Sequence, residues 1–350
     1  MNGPENVHVS FTKVDVEPEE SLAEHAKHFV QLLPDSSRKE DLRDITRYAQ
    51  IHGITRAMIF DQPPSQPSTG SLRKGGVRSV VAYWGAPVSS VYPPVLRSFR
   101  RIQYGLRAHR PDLYVFETEG MRTTAVNGLG VPERQTSVVP LGVDVSMFRP
   151  RGDRQGYTHE NLDIPLDRKI IYYSGHFEPR KGIGVLMRAA RILIDTFQRR
   201  DFHLLLVGNR PGEEQPYASI ISDHFAQDHV TFGGYRDDVQ QLQAASDIAV
   251  ICSTGWDSHT MTALEVQASG LPLVVSNLPG LKEAVSSDSG VIVPVGDPEA
   301  LAAALDGLLA DEGIRRTMGI NARRRIVRHF SLERQIASLA EIMRGQTRPG

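Results

Sequence analysis

From Lys169 onward the chain alternates short apolar runs, rich in Val, Ile and Tyr, with longer stretches in which apolar positions recur at helical spacing. The runs KIIYYS, FHLLLVG, VTFGG, DIAVICS, LPLVVS and GVIVPV are almost continuously apolar, as suits parallel strands covered on both faces. The gaps predict crossover helices. The best marked starts at Asp297-Pro298-Glu299, with an acid to cap it, proline at its first position, and Leu301, Leu305, Leu308 and Leu309 along one side. This alternation predicts a doubly wound α/β fold. The earlier part is less regular, yet VHVSFTKV, TRAMIF, RSVVAYW, LYVFET and TSVVPL predict strands of a second α/β unit. Between Pro140 and Arg168 the chain is polar and aperiodic, which sets a boundary near Pro150. Residues 1–150 then form one domain and 151–330 another, with 331–350 a C-terminal helix that would cross back to the first. The segment DQPPSQPSTGSLRKGG reads as a mobile surface loop. Two hinged domains imply a cleft, and ligands of such sheets sit beyond the carboxyl ends of the strands.

Composition narrows the partners. Across 350 residues, 40 Lys plus Arg oppose 41 Asp plus Glu, a net charge of -1, so no general basic field exists to hold a nucleic acid. The single cysteine, Cys252, excludes an internal disulfide and a four-thiolate zinc site, and its apolar surroundings predict a buried side chain. No run approaches the roughly 18 apolar residues of a membrane span, and MNGPENVH lacks the plan of a signal peptide. The expectation is a soluble cytoplasmic protein. His25 and His28 have helical spacing for a metal but no acidic or thiol companion, so no metal is expected.

Two strand-to-helix turns carry candidate chemistry. In SGHFEPRKG, Ser174 to Gly182, a strand ending in glycine is followed by Arg180, Lys181 and a glycine at the helix entrance. Backbone amides, the helix dipole and two cations can converge there on a diphosphate, or the cations simply face water. It is neither a Walker loop nor the dinucleotide fingerprint. In STGWDSHTMTALEVQASGLPLVVS, Asp257 precedes a predicted helix, either as its cap or as an acid facing a ligand, and Glu265 follows eight residues later among Leu264, Val266 and Ala268. A carboxylate in that apolar setting needs a partner, and the vicinal hydroxyls of a sugar or ribose would supply one. A third segment, Pro93 to Arg110, places Leu96, Phe99, Ile102 and Leu106 at helical spacing among Arg97, Arg100, Arg101, Arg107 and Arg110. Such a helix either docks its apolar side and leaves the basic face in water, or meets an anionic membrane or a phosphorylated acceptor.

These residues together resemble the retaining glycosyltransferases of family 4. The likeness rests on strand-G-x-F-x-x-x-K-G at Gly175 to Gly182, on VTFGGYRDDVQQLQAASDIAVICS, on the acid-x7-Glu element ending in EVQASGLPLVVS, and on the junction GVPERQTSVVPLGVDVSMFRP. It implies the GT-B fold of two Rossmann-like domains, and a metal-independent, retaining transfer of a hexosyl group from a nucleoside-diphosphate sugar to a hydroxyl acceptor. The acceptor would be a small molecule, a lipid or a glycan; the sugar nucleotide would be a co-substrate, with no cofactor. By resemblance, Lys181 meets the donor diphosphate, with Arg180 beside it, and Glu265 holds the ribose hydroxyls. Asp257 lies by the donor sugar. The amides of His259, Thr260 and Met261 approach sugar and phosphate, Gly175 and His176 line the diphosphate turn, and Gly234 with Tyr235 lies near the base. The chain departs from the family where His176 replaces an arginine, where Asp257 replaces a glutamate, where Trp84 replaces a histidine, and where the first strand lacks its glycine-rich loop. Two alternatives stay open: a GT-B-like sugar-nucleotide epimerase or phosphorylase, and a sugar-nucleotide-binding protein with impaired turnover, which Trp84, His176 and the missing glycine loop favour.

Overall fold

The computed structural model describes residues 4–11, 26, 28–32, 38–60, 66–152, 156–221 and 227–345. The chain divides into two compact units. Unit 1 holds residues up to Phe116, Arg122–Ser137 and those from Met343; unit 2 holds Glu117–Met121 and Val138–Ile342.

The first strands, β1 (His8–Phe11) and β2 (His28–Gln31), pair in parallel. Only Phe29 and Val30 are apolar in β2, which is why no run announces it. Then come α1 (Lys39–Ile51), β3 (Arg56–Phe60), α2 (Pro67–Lys74), β4 (Ser79–Trp84), α3 (Pro94–Gly105), β5 (Leu113–Phe116), the short α4 (Glu119–Thr123) and β6 (Thr136–Val138). Strands β3 to β6 form a four-stranded sheet in sequence order. The expected loop at 61–76 is corrected for its second half, where Pro67 opens α2 and Ser68, Thr69, Gly70 and Ser71 are buried; residues 61–65 lie outside the described residues. Helix α2 packs through small side chains: a Cβ on Gly75, just past its end, would lie 2.5 Å from Ala49 Cβ of α1. No apolar stripe exists to betray it.

Helix α3 corrects a second expectation. Leu96, Phe99, Ile102 and Leu106 do not dock; all four are exposed, as is Val95, and Tyr104 is the buried residue of the helix. The inner side is made by arginines and tyrosines. Arg97 Nε donates to Tyr92 O at 2.9 Å, Arg100 donates to the Tyr92 hydroxyl at 2.7 Å while lying over its ring, and Arg110 lies over Tyr104.

In unit 2 follow α5 (Tyr157–Leu162), β7 (Lys169–Ser174), α6 (Ile183–Asp195), β8 (Phe202–Val207), α7 (Gln215–Ala218), β9 (Val230–Phe232), α8 (Val239–Ala244), β10 (Ile248–Ile251), α9 (Met261–Ala268), β11 (Leu273–Ser276), β12 (Gly290–Val293), α10 (Pro298–Ala310), α11 (Glu312–His329) and α12 (Leu332–Arg344). All six predicted strands are present, in the order β12-β11-β10-β7-β8-β9. Every pairing is parallel, and every residue of β8, β10 and β11 is buried. One face packs on α6 and α10, whose Leu186, Leu193, Leu301 and Leu305 are almost fully buried; the other packs on α8 and α9 through Leu242, Ala263 and Val266. Each such leucine contributes about 2 kcal/mol on leaving water. Asp297 caps α10 as expected, accepting Ala300 N at 2.9 Å. Among the described residues no helix is long and apolar enough to cross a membrane, and no group of three metal-binding side chains is present. His25 lies outside the described residues, while His28 stacks on His8 at 4.2 Å.

Candidate active site

The order of the sheet decides which turns meet. Strands β10, β7, β8 and β9 are successive neighbours and parallel, so the turns leaving their carboxyl ends are contiguous: Gly175 to Gly182 after β7, Gly208 and Asn209 after β8, Gly234 and Tyr235 after β9, and Ser253 to Thr260 after β10. Their approach is close. A Cβ on Gly208 would lie 2.6 Å from Gly175 O, and one on Gly182, where φ is +78°, would lie 1.9 Å from Cys252 O. Only glycine fits at Gly182, on both counts. Cys252 is buried, as its apolar strand implied, and its thiol donates to Gly182 O at 3.3 Å.

This seam brings Lys181 and Asp257 together. Lys181 Nζ lies 2.9 Å from Asp257 Oδ2, and both side chains are largely buried. The same oxygen accepts from Ser253 Oγ at 2.7 Å, and Oδ1 accepts from Ser258 N at 3.2 Å. Asp257 does not cap the helix. Thr260 does, its hydroxyl accepting Ala263 N at 3.1 Å, so α9 begins at Met261 and the carboxylate stands free of it. Ala263 N and Leu264 N are taken by Thr260 O at 3.0 and 3.4 Å, while Met261 N and Thr262 N come before any intrahelical acceptor, the usual state of a helix start. Gly280 buttresses the turn from below: a Cβ there would lie 2.7 Å from Asp257 O.

Arg180 points elsewhere. Its guanidinium pairs with Glu178 at 2.7 Å, lies over the exposed Trp256 ring at 4.4 Å, and donates to Trp256 O. His176 is exposed and faces Tyr235, whose hydroxyl is 3.4 Å from Nδ1. Gly234 N donates to the Asn209 side chain at 2.9 Å. His259 is buried against Phe330, ring centres 5.2 Å apart. Burial above all, with the Arg325 cation adding to it, pushes its pKa down to about 4, so it is a neutral imidazole near neutrality.

Glu265 sits in the second turn of α9, half-buried, and accepts from Gln243 Nε2 of α8 at 3.2 Å. Burial raises its pKa, and the Gln243 bond opposes the rise. One donor leaves the carboxylate with spare acceptor capacity. Four further residues belong to the site yet carry little signal in sequence: Gln243, Ser253, Asn209 and Trp256. Gln243 and Asn209 are polar groups buried beside strand ends, and only the sheet order reveals what they hold. Trp84, in unit 1, ends β4 with its indole nitrogen buried and unbonded among the described residues.

The family model for glycosyl transferases group 1 matches residues 156–325. Among curated proteins, the D-inositol 3-phosphate glycosyltransferase of Corynebacterium urealyticum is 29% identical over 241 residues, covering 67% of this chain and 56% of its own length. The phosphatidyl-myo-inositol mannosyltransferase of Mycolicibacterium smegmatis is 31% identical over 194 residues, 55% of this chain and 47% of that protein. The chain thus spans about half the length of the curated relatives it matches. Among solved structures, a glycosyltransferase from Rickettsia africae aligns with a TM-score of 0.77 at 18% identity, over 91% of this chain and 85% of that one. Anabaena HepE, solved with UDP, aligns at 0.73 and 19% identity, over 93% and 89%. At these identities the structural likeness is one of fold.

Proposed function

We propose, from the premise that residues 156–325 form a glycosyl transferases group 1 domain in a chain of the GT-B fold, that the protein is a retaining, metal-independent glycosyltransferase. Its donor is a nucleoside-diphosphate hexose and its acceptor a hydroxyl on a small molecule, lipid or glycan. The observation that carries this reading is the convergence, at the ends of β7 and β10, of a largely buried lysine, the open first turn of α9, and a half-buried Glu265 with one hydrogen-bond donor.

In this reading the diphosphate meets Lys181 and the first-turn amides of α9, His259, Thr260 and Met261 contributing through the backbone. Glu265 accepts the two ribose hydroxyls, and the base lies near Gly234 and Tyr235. The bond from C1 of the sugar to the diphosphate oxygen breaks while a bond from C1 to the acceptor oxygen forms on the same face. The acceptor's proton passes to the departing phosphate oxygen. No protein nucleophile is needed in this reading. Lys181 stabilises the leaving charge, and losing one such donor typically costs about 100-fold or more in turnover. Arg180 reaches the diphosphate only by leaving Glu178 and Trp256. The work is done in the cytoplasm, without a cofactor.

The outward apolar face of α3 extends the proposal to a surface. Between Pro93 and Arg110 there are five arginines and no acid, and Phe99, Ile102 and Leu106 stand in solvent beside Arg101 and Arg107. That chemistry fits an anionic lipid surface, whereas a second copy would set arginine against arginine. Co-sedimentation with anionic vesicles, lost in Phe99→Ser/Leu106→Ser and weakened by salt, tests it; equal binding by the variant contradicts it.

The activity is tested by thermal shift and calorimetry against UDP, GDP, dTDP and ADP sugars, without metal and then with magnesium. A donor at about 100 times its Kd adds about 2.7 kcal/mol to stability. One base is expected to bind without metal, and the product's anomeric configuration by NMR is expected to match the donor's. Release of a free sugar-nucleotide isomer, or dependence on inorganic phosphate, would replace this reading with an epimerase or phosphorylase; donor binding without product would leave a binding protein.

A further inference from the structure

The family resemblance sets Asp257 beside the transferred sugar, yet in this chain its carboxylate is already committed. Oδ2 accepts from Lys181 Nζ at 2.9 Å and Ser253 Oγ at 2.7 Å, Oδ1 accepts from Ser258 N at 3.2 Å, and the side chain is only 6% exposed. Three of about four acceptor positions are thus filled from within the protein. The backbones at both ends of the pair are held. The turn behind Lys181 is pinned by the close packing of Gly182 on Cys252 O, and the turn of Asp257 rests on Gly280.

We propose that Asp257 is a positioning residue that holds the Lys181 ammonium where a donor diphosphate arrives, rather than a contact to the transferred sugar. The proposal rests on the donor-site reading above. A flexible four-carbon side chain loses rotamer freedom when it meets a ligand. Here the loss is taken on folding, because the buried carboxylate and Ser253 fix one Lys181 geometry in advance, leaving two ammonium N–H groups for phosphate oxygens.

The two roles separate when affinity for a nucleoside diphosphate is compared with affinity for the corresponding nucleoside-diphosphate sugar. Calorimetry with UDP, GDP, dTDP and ADP, each with and without its sugar, is applied to the wild type, Asp257→Asn, Asp257→Glu, Lys181→Met and the Asp257→Asn/Lys181→Met double variant. Positioning predicts that Asp257→Asn weakens the plain diphosphate and the sugar nucleotide by the same factor, about tenfold, and that Lys181→Met weakens both by about 100-fold. The double variant should then be no weaker than Lys181→Met, the mark of two residues acting as one unit. Asp257→Glu, which keeps the charge, should restore most of the loss, as a merely structural role would not require.

If Asp257→Asn leaves the plain diphosphate untouched and weakens only the sugar nucleotide, the carboxylate touches the sugar and the proposal falls. Additive losses in the double variant overturn it equally. A wild type that binds none of the four diphosphates removes the donor-site reading itself, and this proposal with it.

Discussion

The two units hide their helices by different chemistry. In unit 2 the helices present leucine, isoleucine and alanine to a sheet whose central strands are buried throughout, and α6 alone buries Ile183, Leu186, Met187 and Leu193. In unit 1, α2 is seated through serine, threonine and glycine, while α3 turns arginines and a tyrosine inward and its aliphatic residues outward. Apolar periodicity reports burial only where burial is apolar. A helix held by small residues or by Arg–Tyr contacts leaves no such trace, and a helix with its stripe in solvent leaves the wrong one.

The sharpest way to test that contrast is a pair of deletions. Leu186→Ala in unit 2 should cost about 3–5 kcal/mol, because the cavity opens against a closed sheet. Phe99→Ser on α3 should stay within about 0.5 kcal/mol, since the ring touches water already. Urea unfolding of the two variants checks both. Comparable losses would mean that the α3 face is covered in solution.

Acid should act on unit 2 next in size. Burial holds His259 near a pKa of about 4 and His203 near about 3, both below the unfolded value near 6.5. The unfolded chain therefore binds more protons between those limits, and stability falls as pH drops below about 6.5. For His259 alone the loss is about 3 kcal/mol by pH 4. Denaturant midpoints from pH 7 to 4 measure it, and His259→Gln should flatten that part of the curve.

A smaller effect carries an unusual sign. At an exposed helix end, Gly→Ala would stabilise by a few tenths to 1 kcal/mol. At Gly75 the new methyl would meet Ala49 Cβ at 2.5 Å and Thr46 O at 2.9 Å, so Gly75→Ala should destabilise by about 1–3 kcal/mol. A stabilised variant would show that α1 and α2 do not pack through small residues. Smallest, Glu265→Gln should leave the melting temperature unchanged or slightly higher near neutral pH. The raised pKa of Glu265 means that its ionised form is the costly one, so stability contributed by this group is lost as pH rises past its folded value.

The same contrast explains what the sequence disclosed of the site. The six strands of unit 2, the capped helix at Asp297 and the doubly wound class were legible because each rests on apolar runs or a local cap. Lys181, Asp257 and Glu265 were legible as residues at strand-to-helix turns. Their partners were not. Ser253 reaches Asp257 across four residues of an aperiodic turn, Gln243 reaches Glu265 across 22 through the packing of α8 on α9, and Lys181 meets Asp257 across 76 through the pairing of β10 with β7 that only the assembled sheet creates. Likewise Arg180, read in sequence as one of two cations converging on a diphosphate, is drawn aside by Glu178 and the neighbouring Trp256.

The central claim is that the seam of β7, β10 and α9 holds a nucleoside diphosphate, with the ribose on Glu265. Calorimetric titration of the wild type and Glu265→Gln with whichever of UDP, GDP, dTDP or ADP the wild type binds tests it most directly. The account predicts a loss of about 100-fold or more in the variant, the worth of two hydrogen bonds to a charged acceptor, in a protein that still melts as stably. Equal affinity in the two proteins would contradict it.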